Sequence, residues 1–172
     1  MSAGWPFNQV HHVIWRSKRF RSIKTSDDKL LLFWYMTSEN QNSLGFFRCP
    51  DHWPAADLQW EVARVTESRH RLQEVGLIHY DEDSEELYVD QWLRFATKPA
   101  PKVFQGYVRQ VESMESETLR LDVIGPALQA AEARWAGDSG KSSKPKEETD
   151  QPPNQAASPR LQASLARNGR GY

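Results

Sequence analysis

The chain has 172 residues with 22 Lys+Arg against 23 Asp+Glu, and its formal net charge of −1 excludes the simplest case for a nucleic-acid binder or a polybasic membrane-surface protein, a uniformly basic chain. Its one cysteine, Cys49, excludes an internal disulfide framework and a multi-cysteine metal site, and fits a reducing compartment. Hydrophobic residues make up only 38%, yet there are seven Trp, seven Phe and five Tyr, so an aromatic-rich folded part is averaged with a solvated part.

Residues 1–12 read as irregular. The stretch Val13 to Arg21 sets Val13, Trp15 and Phe20 among bases and suits either an extended segment or a short helix. Arg16, Lys18, Arg19, Arg21 and Lys24 lie within nine residues, and no acid precedes Asp27. This is the strongest local charge feature in the chain. It can track a phosphate backbone; the alternative is a segment whose bases balance acids elsewhere.

Thr25-Ser26-Asp27-Asp28 is a helix start, with a capping oxygen and acids suited to the first turn. Leu30, Leu31, Phe33, Trp34 and Met36 then make a helix apolar almost all round, placed centrally in the core. A polar loop at 38–43 leads to a short strand, Leu44 to Arg48. Pro50 to Leu58 reads as a short helix opened by Pro50 and Asp51, with Trp53 and Ala56 inward. A longer helix runs from Gln59 or Trp60 to Val75, with Val62, Val65, Ser68, Leu72 and Val75 toward the core. Gly76 follows where a helix stops on a left-handed residue. Leu77–Tyr80 and Leu87–Val89 read as a β-hairpin spanning residues 77–90. Its tip holds five acids in six residues, Asp81, Glu82, Asp83, Glu85 and Glu86, and reads as a solubilising turn rather than a phosphate contact or a calcium loop.

Two helices, the second longer, followed by a glycine stop and a hairpin is the order of a winged helix. On the longer helix, Arg64 and Arg71 share a face, with Arg69 and His70 beside it. One reading has these side chains reaching base edges or phosphates. The other is a solvated face knitted by Arg64–Glu67 and Arg71–Glu74 pairs. No HExxH spacing, glycine-rich phosphate loop or G-x-S-x-G is present, so neither catalysis nor a cofactor is expected. Cys49 reads as a small apolar core residue.

Lys98–Pro101 reads as a stiff connector, followed by helices at Lys102–Glu112 and Glu115–Trp135, the second interrupted at Gly125-Pro126. After Trp135 there is no Val, Ile, Phe, Trp or Met, and only Leu161 and Leu165 among larger aliphatics. Such a segment cannot bury enough apolar area to offset chain entropy, so 136–172 is expected to be disordered. It carries six Lys+Arg and four Asp+Glu, leaving net −3 on residues 1–135. Its Leu161 and Leu165, with Arg160 and Arg167 flanking, suit either a docking peptide or an unselected tail.

The stretches WRSKRFRSIKTSDDKLLLFWYMTSENQNSLGFFRCPD, AADLQW, RHRLQEVGLIHYDED and VDQWLRF, with an N-x-x-G turn at Asn42–Gly45 and the Gly76-Leu77-Ile78 step, make the chain from Val13 to Phe95 resemble small winged-helix proteins of tailed phages and prophages, of the replication-initiator-like or replisome-organiser-like kind. The resemblance implies a DNA-binding winged helix near a replication or regulatory locus, with Gln59–Val75 as the reading helix and Arg64, Arg69 and Arg71 as its exposed positions. Where such relatives usually carry W-x-x-H-N, this chain has Arg94-Phe95-Ala96-Thr97 instead.

The expectation is therefore a mainly α protein with a small β-hairpin wing (α+β): a winged helix-turn-helix at 1–97, a helical extension at 98–135 and a disordered tail at 136–172. It would bind double-stranded DNA through Arg16, Lys18, Arg19, Arg21, Lys24, Arg64, Arg69, His70 and Arg71, without cofactor, metal or catalysis. Its tail would engage a helicase, helicase loader or other replication protein. No apolar run approaches the ~18 residues of a membrane span, and the location expected is the cytoplasm of a bacterial host cell. The rival expectation is a winged helix used only for protein contact.

Overall fold

A computed structural model describes residues 10–138. A 3-10 turn at His12–Arg16 leads into α1, Lys18–Ser22, where the sequence allows either an extended or a helical segment. Ser17 separates the two, its Oγ accepting from the Phe20 amide at 3.3 Å. The first long helix, α2, is Ser26–Thr37, and Thr25 caps it as expected, its Oγ1 accepting from the Asp28 amide at 3.1 Å. Leu31, Leu32 and Tyr35 of α2 are buried, but Leu30 is exposed, so the helix is less uniformly enclosed than its apolar run implies.

Strand β1, Phe46–Arg48, follows a polar loop, and then come helices α3, His52–Leu58, and α4, Val62–Glu74. Gln59 links them in a left-handed conformation, with φ of 56°. α3 turns Pro54 and Ala55 inward and leaves Ala56 exposed, opposite to the expected register there. In α4, Val65, Ser68 and Leu72 are fully buried, whereas Val62, in the first turn, stays exposed. The helix stops at Gly76 through paired bonds: the Gly76 amide donates to the Gln73 carbonyl at 2.9 Å and the Leu77 amide to Leu72 at 3.0 Å. That 5→2 and 6→1 pattern is the glycine-dependent Schellman stop.

Strands β2, Ile78–Asp81, and β3, Glu86–Val89, form the hairpin, and β3 also pairs with β1, giving an antiparallel sheet in the order β1-β3-β2. The molecule is thus mainly helical with one small antiparallel sheet. Because side chains alternate along a strand, the sheet presents two faces. Phe47, Ile78, Tyr80, Leu87 and Val89 join Leu31, Tyr35, Val65 and Leu72 in one core. Phe46 and Tyr88 join Leu44 and Leu93 in a second.

The second core is closed by the chain after the hairpin. A turn of helix, α5, spans Trp92–Phe95; α6 is Pro101–Glu112; a π-helical turn at Leu119–Ile124 runs into α7, Gly125–Asp138. Val111, Met114, Leu119, Ile124, Leu128, Ala131 and Trp135 cover the back of the sheet. The wide turn falls where Gly125-Pro126 suggests an interruption. Pro126 has no amide hydrogen to give a regular helical bond, and a wider turn accommodates it. The tail expected to be disordered begins inside α7, which continues to Asp138; the rest of it lies outside the described residues.

Candidate nucleic-acid interface

The proposed reading helix and the proposed basic segment meet at the N-terminus of α2. There α4 crosses the first turn of α2, and the two acids of that turn take two of the arginines of α4. Arg64 donates to Asp27 from Nε at 2.8 Å and lies 2.6 Å from it at Nη2. Arg71 donates to Asp28 from Nε at 3.0 Å and from Nη2 at 2.8 Å, and also to the Ser68 hydroxyl at 2.9 Å. Burial alone would raise the Asp28 carboxyl. The Arg71 guanidinium and the hydroxyls of Thr25 and Ser68 more than offset it, and hold Asp28 below the usual carboxylate value.

The expected local pairs are therefore replaced. Asp27 and Asp28, not Glu67 and Glu74, are the main partners of Arg64 and Arg71; Glu67 stands 3.8 Å from Arg71. The reason is geometric: carboxylates on short side chains at a packed helix crossing are better fixed than exposed glutamates on the same helix. Both guanidinium groups stay partly open to solvent, with side-chain exposures of 48% and 42%. Arg64 also lies over the Trp60 ring, 4.2 Å from its centroid.

Arg69 requires a correction. Its expected place is on the exposed face of α4, but only 2% of it reaches solvent. Its Nε and Nη2 donate to Asp51 at 2.9 and 3.1 Å, its Nη1 and Nη2 to Glu82 at 2.6 and 3.0 Å, and its plane covers Tyr80 with Cζ 3.8 Å from the ring centroid. Burial opposes its charge, but Glu82 and Asp51 hold the guanidinium firmly protonated. His70 is exposed, with Nε2 3.4 Å from Glu82.

The hairpin acids also depart from expectation, because most of them are acceptors for the rest of the fold rather than a solvated tip. Glu82 holds Arg69, which lowers its carboxyl below the usual value. Glu86 is buried and accepts from the amides of Ser116 at 2.8 Å and Glu115 at 3.3 Å. The Ser116 hydroxyl donates to Asp81 and lowers that carboxyl too. These bonds have no local signature, since their partners lie 13 to 35 residues away.

Within the basic segment the side chains divide. Arg19 is engaged: it donates to the Gly76 carbonyl and pairs with Asp90 at 2.6 Å. Burial would raise Asp90, but His79 and Arg19 hold it below its usual value. Arg16, Lys18, Arg21 and Lys24 are exposed, and no carboxylate pairs with them among the described residues. Trp15, on the same segment, is 60% exposed. Lys24 immediately precedes the Thr25 cap, so the unpaired cations end where Arg64 and Arg71 are anchored.

Among the described residues, no three His, Cys, Asp or Glu side chains stand close enough together to hold a metal ion. Cys49 is buried, which pushes its thiol up and leaves it poorly suited to act as a thiolate. No described helix is long and apolar enough to cross a membrane. No protein-family model matches the chain, and no curated protein or solved structure matches it at a significant level.

Proposed function

We propose that the chain is a winged-helix protein of phage or prophage type that binds double-stranded DNA, in replication initiation or its regulation, and has no catalytic chemistry of its own. The element order supports the fold: helix α2, strand β1, helices α3 and α4, then the β2–β3 hairpin, with the sheet in the order β1-β3-β2. The observation that carries the binding reading is the set of cations without carboxylate partners at Arg16, Lys18, Arg21 and Lys24, a segment that ends just before the α2 turn on which the half-open guanidinium groups of Arg64 and Arg71 are anchored. Cations without carboxylate partners contribute net attraction to phosphate, whereas a paired arginine mainly positions. DNA contact thus shifts from the centre of α4 toward the basic segment. The tail, which beyond Asp138 lies outside the described residues, would engage a helicase, helicase loader or other replication protein in the bacterial cytoplasm.

A second reading has an observation of its own. The exposed side of α4 carries Glu67 and Glu74 beside His70 and Gln73, and Arg69 is withdrawn from it. That face suits a protein partner better than a phosphate backbone. A salt titration of binding to mixed-sequence duplex separates the two. DNA binding predicts an affinity that falls steeply as salt rises. Absence of duplex binding at low salt, with a stable protein complex, favours the contact module.

A further inference from the structure

A groove of about 590 Å³ lies between the 3-10 turn at 12–16 and the α5 segment. Its volume falls in the range of roughly 300–1,000 Å³ usual for small-molecule sites. Ile14, Met36, Trp92 and Tyr107 give it apolar and aromatic walls. Its charge is one-sided. Arg16, Arg19 and Arg94 line it against one carboxylate, Asp90, which Arg19 and His79 already hold at 2.6 and 3.6 Å. Arg16 and Arg94 have no carboxylate partner among the described residues; the Arg94 guanidinium donates to the Gln91 amide oxygen at 2.9 Å.

At the rim the rings of His12, His11 and Phe95 stack in series. Centroid separations are 4.7 and 5.3 Å and interplanar angles 24° and 23°. Phe95 is 51% exposed, and the Arg94 guanidinium lies 5.9 Å from its ring centroid. A short file of near-parallel rings, flanked by unpaired arginines, is extended naturally by another flat ring bearing a negative charge. Bases stack on aromatic side chains with little regard to sequence, and cations beside them take the phosphates. An acidic peptide would satisfy the arginines but not the stacked file.

We infer that this groove binds single-stranded nucleic acid, with bases stacking at Phe95 and phosphates on Arg94 and Arg16. The inference rests on the nucleic-acid reading above and adds to it a single-strand surface that shares Arg16 with the basic segment and is otherwise its own. A duplex cannot enter, because its bases are already stacked; a strand freed from one can.

The test titrates the full chain, at low salt, into a labelled oligothymidylate and separately into a labelled mixed-sequence duplex. Phe95→Ala and Arg94→Gln should each weaken oligothymidylate binding about tenfold and leave duplex affinity unchanged. Arg21→Gln with Lys24→Gln should do the reverse. Both groove positions are exposed, and circular dichroism checks folding. Arg94→Gln, which leaves every ring in place, decides the matter if Phe95→Ala does not fold. Duplex binding with no oligothymidylate binding overturns this inference and leaves the duplex reading standing. So does a loss in the groove variants that is equal for both probes, or no loss at all. Binding to neither probe overturns the duplex reading, and this inference with it. A glutamate-rich peptide that binds in a Phe95- and Arg94-dependent way while oligothymidylate does not would reassign the groove to an acidic protein segment.

Discussion

Arg69 and Asp51 face each other in a two-point contact, Nε to Oδ1 at 2.9 Å and Nη2 to Oδ2 at 3.1 Å, in which the arginine is almost wholly buried. Asp51 also accepts from the Thr66 hydroxyl at 2.6 Å, and Glu82 completes the arginine from the hairpin side. One guanidinium therefore ties the start of α3, the middle of α4 and the tip of the hairpin. Helix α4 cannot rotate, and the hairpin cannot swing, without breaking charge-assisted bonds.

Arg69→Ala should cost about 3–5 kcal/mol, because it strands a largely buried Asp51 carboxylate rather than merely deleting an interaction. Urea denaturation measures this. A loss under about 1 kcal/mol would show that water replaces the arginine freely. Duplex affinity of the folded fraction should be unchanged, since Arg69 presents almost nothing to solvent.

The elements are legible from sequence because their signals are local. Thr25 before two acids marks the start of α2, and Gly76 after a periodic run marks the stop of α4. The roles of the charged residues are not legible. Asp27 and Asp28 look like first-turn acids, yet their arginines lie 37 and 43 residues away. Asp51 looks like a capping residue, yet it makes no side-chain cap bond and holds Arg69 instead. Nor does the alternation along β3 reveal that both faces are buried. Tyr88 needs the helices at 101–138 to cover it, and Glu86 needs the amides of Glu115 and Ser116. Pairing across the fold leaves no spacing to read.

Replacing Arg16, Lys18, Arg21 and Lys24 together by Gln should weaken duplex binding strongly. The slope of log affinity against log salt should also drop by about 0.9 for each phosphate that the protein no longer neutralises. Arg64→Gln, which removes a cation already paired with Asp27, should change the slope much less. Anisotropy titrations at several salt concentrations check this. Equal effects from the two variants would place the phosphate-binding cations on α4 after all.

Acid should unfold the protein through its held carboxylates. Asp28, Asp81 and Asp90 lie below their ordinary 3.8, and Glu82 below its ordinary 4.5. A carboxyl whose folded pKa is depressed stabilises the fold fully above its unfolded value, and that contribution is lost as pH falls through the folded value. The melting temperature should therefore be flat from about pH 7 to 5 and drop below about pH 4. Asp28→Asn should lower stability at neutral pH and make the acid-side drop shallower. An unchanged acid limb would mean that the Arg71 pair does not survive in solution.

Gly45 is fixed by backbone and neighbour at once. Its φ is +86°, and a Cβ there would fall 2.3 Å from Cγ and 2.4 Å from Cβ of Trp92. The turn is already committed: the Asn42 side-chain oxygen accepts from the Leu44 and Phe46 amides at 2.9 and 3.3 Å, and the Gly45 carbonyl accepts from Val89 at 2.9 Å. The clash must therefore move Trp92, breaking its indole bond to the Ser43 carbonyl at 3.2 Å. It would also disturb α5, whose Leu93 and Arg94 carbonyls accept from Arg134 of α7 at 2.9 Å. Gly45→Ala should cost about 2–4 kcal/mol, combining left-handed strain with overpacking. The clash and the strain can be separated. In a Gly45→Ala, Trp92→Ala double variant the steric part disappears, so the two single-variant costs should sum to more than the double variant shows. Simple additivity in denaturant melts would mean that Gly45 is required for its φ alone and that Trp92 does not press on it.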